Sequence, residues 1–394
     1  MNNHFDECAF DRDTSLDVTH RCVHIIESLG RGAVENWLVR MLRHARAKGV
    51  DVDWTFYSAL GHPGSLDEVA RALGAQVIYS PVPIGSTTGF LRALRAELRR
   101  GEYDALHCHH DLVSAVYLLA AAGLPIRRRI VHVHNADEAI PTPSRLKQRL
   151  YREPMRRICL SMADRIVGIS GHTLDTFLSG RRHRPGRDIV LYYGVDPTPF
   201  ENVSGDHGAF RRQLGLSEDA LVLLFAGRMV PEKNPQFAID VLFELRRIEP
   251  RAVTVFAGAG SQEQAVLGRA REYGIEDSVR LLGWRGDLPE IMSCSDCFIM
   301  PHPHHPMEGF GLAVVEAQLA GARMLLSRGI ADDPLLPTAS FRRLKLSEGA
   351  RAWAKAAADL MASPKPSRAD AQVALSESAM DMNRALHGLI RLYA

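Results

Sequence analysis

Short apolar runs alternate with segments of helical periodicity through the first half of the chain. The runs are too short for helices, and amphipathic segments such as AVENWLVRMLRHARAKG and TGFLRALRAELRRG separate them. Alternation of this kind is typical of parallel strands that helices cover on both faces. The pattern therefore predicts strands within RCVHIIESLG, VDVDWTFYSA, QVIYSPV, DALHCHH, RRIVHVHN and DRIVGIS.

The same alternation restarts after a polar stretch at 198–216. Further strands are predicted within ALVLLFAGRM, AVTVFAGAG, SVRLLGW, DCFIMPH and RMLLSRG. The sequence thus predicts an α/β protein with two Rossmann-like, doubly wound domains that face a central cleft. The predicted parts are a disordered or extended arm (1–17), a first Rossmann-like domain (18–197), a second Rossmann-like domain (198–370) and a C-terminal segment (371–394). One helix over about 371–392 is expected in that segment, and its packing back across the first domain is left open.

The composition is that of a globular enzyme, with 46% hydrophobic and 24% charged residues among 394. A net charge of +2 argues against a nucleic-acid partner. Basic residues nevertheless concentrate in the first half. They form either ordinary solvated helix faces or a surface for an anionic membrane or acceptor. They are Arg92, Arg95, Arg99, Arg100, Arg127, Arg128, Arg129, Arg145, Lys147, Arg149, Arg152, Arg156 and Arg157.

The six cysteines and the N-terminal sequence indicate a reducing compartment. The start, MNNHFDECAFDRDTSLD, is polar and acidic and does not resemble a secretory leader, so free thiols and a cytoplasmic location are expected. Cys294 and Cys297 form a C-x-x-C pair, which we interpret as buried structural thiols and not as a metal or redox site. No apolar run reaches the ~18 residues that would span a bilayer.

The stretch PMEGFGLAVVEAQLAG places two acids, Glu308 and Glu316, around a glycine turn that opens a helix. Backbone N–H groups and the helix dipole at such a turn favour an anion. A sugar nucleotide supplies a diphosphate there, with a sugar near Glu308 and a ribose near Glu316. The alternative makes Glu308 a loop residue and Glu316 a solvated one.

A second candidate feature is the segment AGRMVPEKNP, which follows a predicted strand. Arg228 and Lys233 bracket its turn and can converge on a diphosphate, neutralising a leaving group. Because cations are common near turns, Arg228 and Lys233 alone do not indicate a diphosphate site. Together with Glu308 and Glu316 they do.

These segments resemble the family-4 retaining glycosyltransferases of GT-B fold. The resemblance runs through about 220–330, in AGRMVPEKNPQFAIDVL, VFAGAG, VRLLGWRGDLPEIMSCSDCFIMPH and EGFGLAVVEAQLAGARMLLS. Weaker matches are SLGRGAVENWL, HVHN and YYGVDPTPF, and the continuation through FRRLKLSEGARAWAKAA resembles the capsular and exopolysaccharide branch.

The resemblance implies that 18–197 is the acceptor-side domain and 198–370 the nucleotide-sugar-binding domain, and it implies a role for each matching position. Arg228 and Lys233 match the diphosphate-binding pair, and Glu308 matches the acid beside the donor sugar. Gly309, Phe310 and Gly311 match contacts with the sugar and phosphates, and Glu316 matches the acid that binds the ribose. Trp284 and Arg285 match the loop that receives the base. Gly30 and Gly32 match contacts with phosphates and acceptor, and His134 matches the histidine that faces the reacting sugar.

Two positions depart from the family pattern. Tyr193 stands where the family usually has Asn before GVD, and Arg31 replaces one of the paired glycines of the first loop. The role of that loop is therefore less firmly implied, since Arg31 changes the contact with acceptor or phosphate.

No metal or other cofactor is expected, because the two cations and the helix N-terminus supply the positive charge. Two histidine clusters, HCHHD at 107–111 and PHPHHP at 301–306, do not predict metal. His107 and His109 share one strand face while His110 points away, and prolines interrupt the second cluster. For His109 and His134, lining the cleft and simple hydrogen bonding at a strand end both remain open.

The expected function is metal-independent, retaining transfer of a hexose from a nucleotide-sugar, with UDP favoured at family level. The expected acceptor is a glycan or lipid-linked saccharide in bacterial surface polysaccharide synthesis, reached from the cytoplasm or peripherally at the inner membrane face. The leaving phosphate takes the acceptor proton, or else Glu308 acts as a covalent nucleophile. The alternatives are transfer to a soluble small molecule and a non-catalytic nucleotide-sugar-binding subunit. A periplasmic two-lobed binding protein is disfavoured because no leader is recognised.

Overall fold

The computed structural model describes residues 19–30, 32–136, 148–203, 206–305 and 307–394. The predicted N-terminal arm, Cys8, Arg31, Arg145, Lys147 and Pro306 lie outside the described residues, as does the side chain of Arg149.

The first sheet has seven strands in the order β3-β2-β1-β4-β5-β6-β7. Its pairings are parallel where β1 meets β2 and β4, with Cys22 opposite Trp54 and His24 opposite His107. The chain starts in the middle, at β1, and later crosses to β4, so the order reverses between these two strands. The strands are β1 Arg21–Ile26, β2 Asp53–Ser58, β3 Gln76–Tyr79, β4 Ala105–Cys108, β5 Arg128–Val133, β6 Arg165–Gly168 and β7 Asp188–Val190.

Helices connect these strands, as the apolar periodicity predicts. The first, Ala33–Ala47, buries a stripe that includes Trp37, Met41 and Ala45, at the spacing of one helix face. The helical segments between β1 and β8 are Ala33–Ala47, Asp67–Ala72, Thr87–Arg100, Ser114–Ala120, Glu153–Met162, Gly171–Leu178, Thr198–Glu201 and His207–Gln213, with a 3₁₀ turn at Asp111–Val113 and a π-helical segment at Gln148–Arg152.

The second sheet has six strands in the order β10-β9-β8-β11-β12-β13, and its order reverses between β8 and β11. Ligands of open α/β sheets bind at such a reversal, beyond the carboxyl ends of the strands. Leu223, Phe256 and Trp353 belong to the apolar core on this sheet. The strands are β8 Leu221–Ala226, β9 Ala252–Ala257, β10 Val279–Leu281, β11 Cys297–Met300, β12 Met324–Ser327 and β13 Phe341–Leu344.

Helices accompany these strands too. They are Pro235–Leu245, Glu263–Glu272, Leu288–Cys294, Leu312–Leu319, Gly349–Ala362, Arg368–Glu377 and Met382–Arg391, with 3₁₀ turns at Pro231–Lys233, Glu276–Ser278 and Leu346–Glu348. Two parallel α/β sheets with reversing strand order confirm the predicted fold class.

The chain divides into two compact units. The first comprises the described residues of Met1–Val131, Arg157–Arg165 and Leu386–Ala394, and the second comprises those of His132–Arg156 and Ile166–Ala385. His134 and Tyr193 therefore belong to the second unit together with Lys233 and Glu308.

The single helix predicted over about 371–392 is wrong. The chain forms two helices, Arg368–Glu377 and Met382–Arg391. The break follows Ser378, whose extended backbone ends the first helix, and the N–H of Val195 bonds the carbonyl of Met380 at 2.9 Å. Strands β7 and β13 and helices Gly171–Leu178 and Gly349–Ala362 were not predicted from the apolar pattern.

Several of the basic residues of the first half serve internal contacts. Arg95 donates to the carbonyls of Ala120 and Ala122, and Arg100 pairs with Glu97. Arg128, Arg129 and Arg156 likewise bond Ala394, Leu124 and Phe177 carbonyls. The exposed basic residues include Arg92, Arg99, Arg127 and Arg157.

The cysteine pair and the apolar character of the helices were both considered from the sequence. Cys294 and Cys297 are both buried free thiols, as predicted. Within the described ranges, no helix combines the length and the apolar character that crossing a bilayer requires.

Candidate active site

Two strands that flank the reversal of the second sheet supply an ion pair. Strand β8 leads into the 3₁₀ turn Pro231–Lys233, and β11 leads into the loop that carries Glu308. Lys233 Nζ donates a hydrogen bond to Glu308 Oε2, and the two side chains form a salt bridge. The two side chains are 18% and 16% exposed, so the pair is largely but not fully removed from water. It is therefore placed where a ligand can reach it.

The charges around Glu308 keep its carboxyl group ionised. Burial raises the pKa of Glu308, but the positive charges of Lys233 and Arg228, a hydrogen bond from Lys233 and the nearby His302 ring together outweigh burial and lower the pKa below 4.5. A carboxylate at neutral pH can accept hydrogen bonds from sugar hydroxyls, which a carboxylic acid does less well.

His302 contacts the same carboxylate, although the sequence did not single it out as a site residue. Its Nε2 lies 3.5 Å from Glu308 Oε2, and its Nδ1 lies 3.0 Å from the Pro303 carbonyl oxygen. The ring is 4% exposed, and burial lowers its pKa more than the attraction of Glu308 raises it. His302 is thus a neutral imidazole at neutral pH beside a carboxylate.

Arg228 is held by a loop whose backbone is fixed on both sides. The N–H of Met229 donates to the Ala259 carbonyl at 3.0 Å, and the N–H of Gln262 donates to the Met229 carbonyl at 2.9 Å. Met229 is buried while Arg228 is exposed. The guanidinium is therefore presented to solvent at the edge that carries Lys233, and its charge contributes to the lowered pKa of Glu308.

Glycine is required at two places in the turn after Glu308. A Cβ on Gly309 would lie 2.8 Å from the carbonyl oxygen of His134, closer than such contacts allow. Gly311 has φ +88° and begins the helix Leu312–Leu319 from a left-handed conformation. The Ser170 hydroxyl donates to the Gly309 carbonyl at 2.6 Å. The turn is thus held by residues that closely follow β5 and β6.

The helix after this turn carries Glu316 on a partly buried face. Its neighbour Gln318 is 2% exposed and bonds three backbone groups. The side-chain amide donates to the carbonyls of Val314 and Pro334, at 2.9 and 2.8 Å, and accepts from the N–H of Leu336 at 2.8 Å. Gln318 therefore ties the helix of Glu316 to the segment 334–336.

His134, Tyr193 and Phe310 form a contiguous aromatic group. His134 Nδ1 lies 2.7 Å from the Tyr193 hydroxyl, and the two rings are nearly parallel with centroids 5.9 Å apart. Phe310 meets Tyr193 edge-on at 5.7 Å and lies 5.6 Å from Tyr192. The family departure at Tyr193 thus coincides with a partner for His134.

The proposed base-binding residues lie in the loop after β10. Trp284 is 59% exposed, and Arg285 pairs with Asp287, with Nε 2.8 Å from Oδ1. The N–H of Gly258, after β9, donates to the Gly283 carbonyl at 2.8 Å. The loops that follow β9 and β10 are therefore joined beside the loop of Arg228.

Gly30 and Gly32 lie in the first unit, at the start of helix Ala33–Ala47. Gly32 is the N-cap of this helix and has extended backbone angles. A Cβ on Gly32 would collide with the Glu35 carboxylate, so that carboxylate lies over the helix N-terminus. Burial raises the pKa of Glu35.

Taken together, the second unit brings Lys233, Glu308 and His302 into one cluster, with Arg228 acting on it electrostatically. Gly309 contacts His134, and Phe310 contacts Tyr193. The sequence did not identify His302, Ser170 or Gln318 as part of this region. The position of His302 at the end of the predicted strand DCFIMPH, just beyond the carboxyl end of β11, is the sequence signal that could have identified it.

Two family descriptions match the chain. Residues 34–198 match Glycosyltransferase Family 4, and residues 206–330 match Glycosyl transferases group 1. The matched segments cover the glycine-opened helix, the loop of Arg228 and Lys233, and the strand that leads to His134.

Individual proteins resemble the chain over most or much of its length. A putative glycosyltransferase, EpsF, of Bacillus subtilis is 26% identical over 95% of this chain and 96% of its own. An Escherichia coli UDP-Gal:alpha-D-GlcNAc-diphosphoundecaprenol alpha-1,3-galactosyltransferase is 26% identical over 66% of this chain and 67% of its own. The crystal structure of Anabaena Alr3699/HepE in complex with UDP superposes with a TM-score of 0.73 at 18% identity, over 94% of this chain and 98% of that one. This last likeness concerns the fold.

Proposed function

The chain carries the family 4 and group 1 domains of a GT-B glycosyltransferase, and on that premise we propose that it transfers a sugar from a UDP-sugar with retention of anomeric configuration. The acceptor is a lipid-linked or glycan saccharide of a bacterial surface polysaccharide. Transfer needs no metal ion, because protein groups neutralise the leaving diphosphate.

The observation that carries the proposal is the Lys233–Glu308 pair at the strand-order reversal of the second sheet. A diphosphate bound at this edge meets the ammonium of Lys233, the exposed guanidinium of Arg228 and the backbone N–H groups of the turn 309–311. Cations and amide dipoles held in advance stabilise charge that develops on a leaving group. Glu308 then accepts hydroxyl groups of the donor sugar.

The chemical step breaks the bond between the anomeric carbon and the phosphate oxygen and forms one to the acceptor oxygen on the same face. The acceptor proton passes to the departing phosphate oxygen, so no strongly basic side chain is needed. The carboxylate of Glu308 is paired with Lys233, which favours a hydrogen-bonding role. Covalent attack by Glu308 is the competing route, and a glycosyl adduct on this residue would identify it.

The acceptor class is supported by the name of one relative, and the overall length agrees with another. The Escherichia coli relative is described by its name as acting on a diphosphoundecaprenol-linked saccharide with UDP-Gal, and EpsF covers almost the whole chain. Leu150 and Tyr151 are 70% and 50% exposed, which suits peripheral contact with the inner membrane face, where a lipid-linked acceptor lies. Nucleotide binding by the Anabaena protein supports UDP as the donor nucleotide.

The test begins with a thermal-shift screen of nucleotides and nucleotide-sugars against the full chain. A donor at 100 times its Kd stabilises the folded state by about 2.7 kcal/mol. The stabilising UDP-sugar is then incubated with a polyprenyl-diphosphate saccharide in detergent or vesicles, and the product's anomeric configuration is read by NMR. Mg²⁺ and Mn²⁺ are withheld in a parallel reaction.

Retained configuration and an unchanged rate without added cations support the proposal. Transfer only to soluble acceptors would favour the small-molecule alternative. Binding of UDP-sugars with neither transfer nor donor hydrolysis would favour a non-catalytic subunit, and inversion at the anomeric carbon would refute retention.

A further inference from the structure

A buried cluster of metal-binding residue types lies in the first unit, on one face of its sheet. Cys22 and His24 are two residues apart in β1, so their side chains lie on the same face of the sheet. His107 stands opposite His24 on β4. The side chains of Cys22, His24 and His107 are 0% exposed, and the ring of Tyr393 packs against both histidines. These four residues are called the β1/β4 cluster below.

The side-chain donor atoms of the β1/β4 cluster converge. One ligand atom from each of Cys22, His24 and His107 lies within 4.8 Å of the other two. The Tyr393 hydroxyl lies 3.5 Å from His24 Nε2 and 3.4 Å from His107 Nδ1, and it is hydrogen-bonded to Cys22. Zn–S and Zn–N bonds of about 2.3 and 2.0 Å put neighbouring ligand atoms roughly 3.5 Å apart, so small side-chain movements bring the set to coordination distance.

The second ring nitrogen of His24 has a hydrogen-bond partner outside the cluster. His24 Nδ1 lies 3.0 Å from His109 Nε2. If Nδ1–H donates to His109, the lone pair of Nε2 is directed to the point where the other ligand atoms meet. Outer hydrogen bonds of this kind fix the tautomer and orientation of metal-binding histidines.

We propose that the β1/β4 cluster binds a divalent transition-metal ion of the zinc class through Cys22 Sγ, His24 Nε2, His107 Nδ1 and the Tyr393 oxygen. Cysteine sulfur and imidazole nitrogen are ligands that zinc prefers, and four protein ligands complete a tetrahedral set. The sequence did not predict metal at HCHHD, because the sequence of one strand does not show which residues stand beside it on the next. The strand register adds Cys22 and His24 from β1.

The charges of this set balance in a buried place. A metal ion binds Cys22 as the thiolate and Tyr393 as the phenolate, so each of these two ligands gives up one proton. Binding exchanges those two protons for one divalent cation, which leaves two anionic and two neutral ligands and no net charge. A neutral complex avoids the large cost of an uncompensated charge in the interior.

The site joins the C-terminal segment to the central strands of its own unit. Tyr393 follows helix Met382–Arg391, and Arg128 Nε donates to the carbonyl of Ala394 at 2.7 Å. A metal bound by Tyr393, β1 and β4 stabilises this attachment. It takes no part in sugar transfer, and the proposal stands or falls independently of the function proposed above.

The experiment measures metal content and cobalt absorption of the full chain. The protein is purified from zinc-supplemented cells and analysed by mass spectrometry of the elements. Then it is stripped with a chelator and titrated with Co²⁺. We expect about one zinc per chain, release of two protons on rebinding, and a thiolate-to-cobalt charge-transfer band.

Variants distinguish the cluster from other thiols. Cys22→Ser abolishes the charge-transfer band, whereas Cys108→Ser retains it, because Cys108 is an equally buried thiol on the opposite face of β4. Tyr393→Phe removes one oxygen, keeps the packing and alters the cobalt spectrum. Circular dichroism checks that each variant is folded.

The proposal is overturned if folded wild-type protein contains no metal and shows no cobalt band after titration. In that case the Tyr393 hydroxyl serves only as a hydrogen-bond centre for Cys22, His24 and His107. A Co²⁺ band that survives in Cys22→Ser would also overturn it. A spectrum unchanged in Tyr393→Phe would refute the oxygen ligand and with it the four-ligand set proposed here.

Discussion

The hydroxyl of Tyr193 lies 2.7 Å from Nδ1 of His134, with the two rings nearly parallel. Tyr193 stands at a position where the resembling family usually has Asn. Its ring also contacts Phe310, which adjoins the glycine turn after Glu308. The orientation of His134 therefore depends on a residue that also packs against the candidate donor site.

Tyr193→Phe keeps the ring contacts and removes this hydrogen bond. A single hydrogen bond contributes about 1 kcal/mol, so we expect kcat to fall about fivefold. His134→Ala should reduce kcat further, and the double variant should be no slower than His134→Ala alone, because both changes act through one imidazole. Steady-state kinetics measure all three.

Tyr273→Phe is the matched control. The Tyr273 hydroxyl donates to Asp240 Oδ1 at 3.0 Å and is not part of the group formed by His134, Tyr193 and Phe310. It should leave kcat unchanged. Equal and independent losses for Tyr193→Phe and His134→Ala would contradict the coupling.

Lys233→Ala should nearly abolish transfer while the fold is retained. The ammonium is fixed beside Glu308 and is proposed to neutralise the leaving diphosphate. Removal of a fixed charge of this kind lowers the rate by about 10²–10³. Lys355→Ala, which removes an exposed lysine from helix Gly349–Ala362, is the control and should be fully active. Turnover undiminished in Lys233→Ala would defeat the site assignment.

Glu308→Gln should change the dependence of stability on pH. The folded-state pKa of Glu308 is below the usual 4.5, so the ionised group stabilises the folded protein above that pH. This contribution is lost as pH falls through 4.5 toward the folded-state pKa. The wild-type protein should therefore have a free energy of unfolding that exceeds that of Glu308→Gln by a constant amount near neutrality and by less in acid.

Urea unfolding of both proteins at about pH 7 and about pH 4 measures this advantage. If the stability advantage of the wild type grows on acidification, the prediction is wrong. Burial, and not Lys233, then determines the direction in which the pKa of Glu308 is shifted.

Gly309→Ala should damage the donor loop, because the new Cβ would lie 2.8 Å from the His134 carbonyl oxygen. Overpacking costs about 1–3 kcal/mol, and displacement of the turn should reduce transfer at least tenfold. Gly268→Ala is a suitable control, since nothing lies within 4 Å of its added Cβ. In the helix Glu263–Glu272 it should stabilise by about 1 kcal/mol. Thermal melts and transfer rates separate the two outcomes.

Trp284 should report nucleotide binding by fluorescence. Of the four tryptophans, Trp284 is 59% exposed, whereas Trp37, Trp54 and Trp353 are at most 2% exposed. UDP should therefore quench wild-type emission by stacking on Trp284. Trp284→Phe should lose this response but keep the UDP-induced thermal shift, and Trp284→Ala should weaken binding by about 1–3 kcal/mol. Quenching retained in Trp284→Phe would place the base elsewhere.

The alternation of apolar runs was enough to predict the parallel α/β class and most strands. It failed for β7 and β13, whose residues are only half-buried and so carry a weak apolar signal. It also merged two C-terminal helices, because the helical periodicity continues on either side of Ser378. The stop there depends on the backbone bond between Val195 and Met380, which is remote in sequence.

The site residues Lys233 and Glu308 could be named from a turn, a strand end and a family resemblance. Their pairing could not, because it depends on β8 and β11 being neighbours in the sheet. His302 was hidden for a similar reason: only the fold shows that its imidazole reaches the carboxylate six residues later. The β1/β4 cluster likewise arises from the register between β1 and β4, which places His24 opposite His107.

The three bonds made by Gln318 have a consequence for engineering donor preference. They make the segment 334–336 a support for the helix that holds Glu316, although that segment need not touch the nucleotide. Libraries that vary residues 331–340 while keeping Gln318 fixed should therefore shift selectivity among donors by small tilts of the helix, without replacing any group that contacts the substrate.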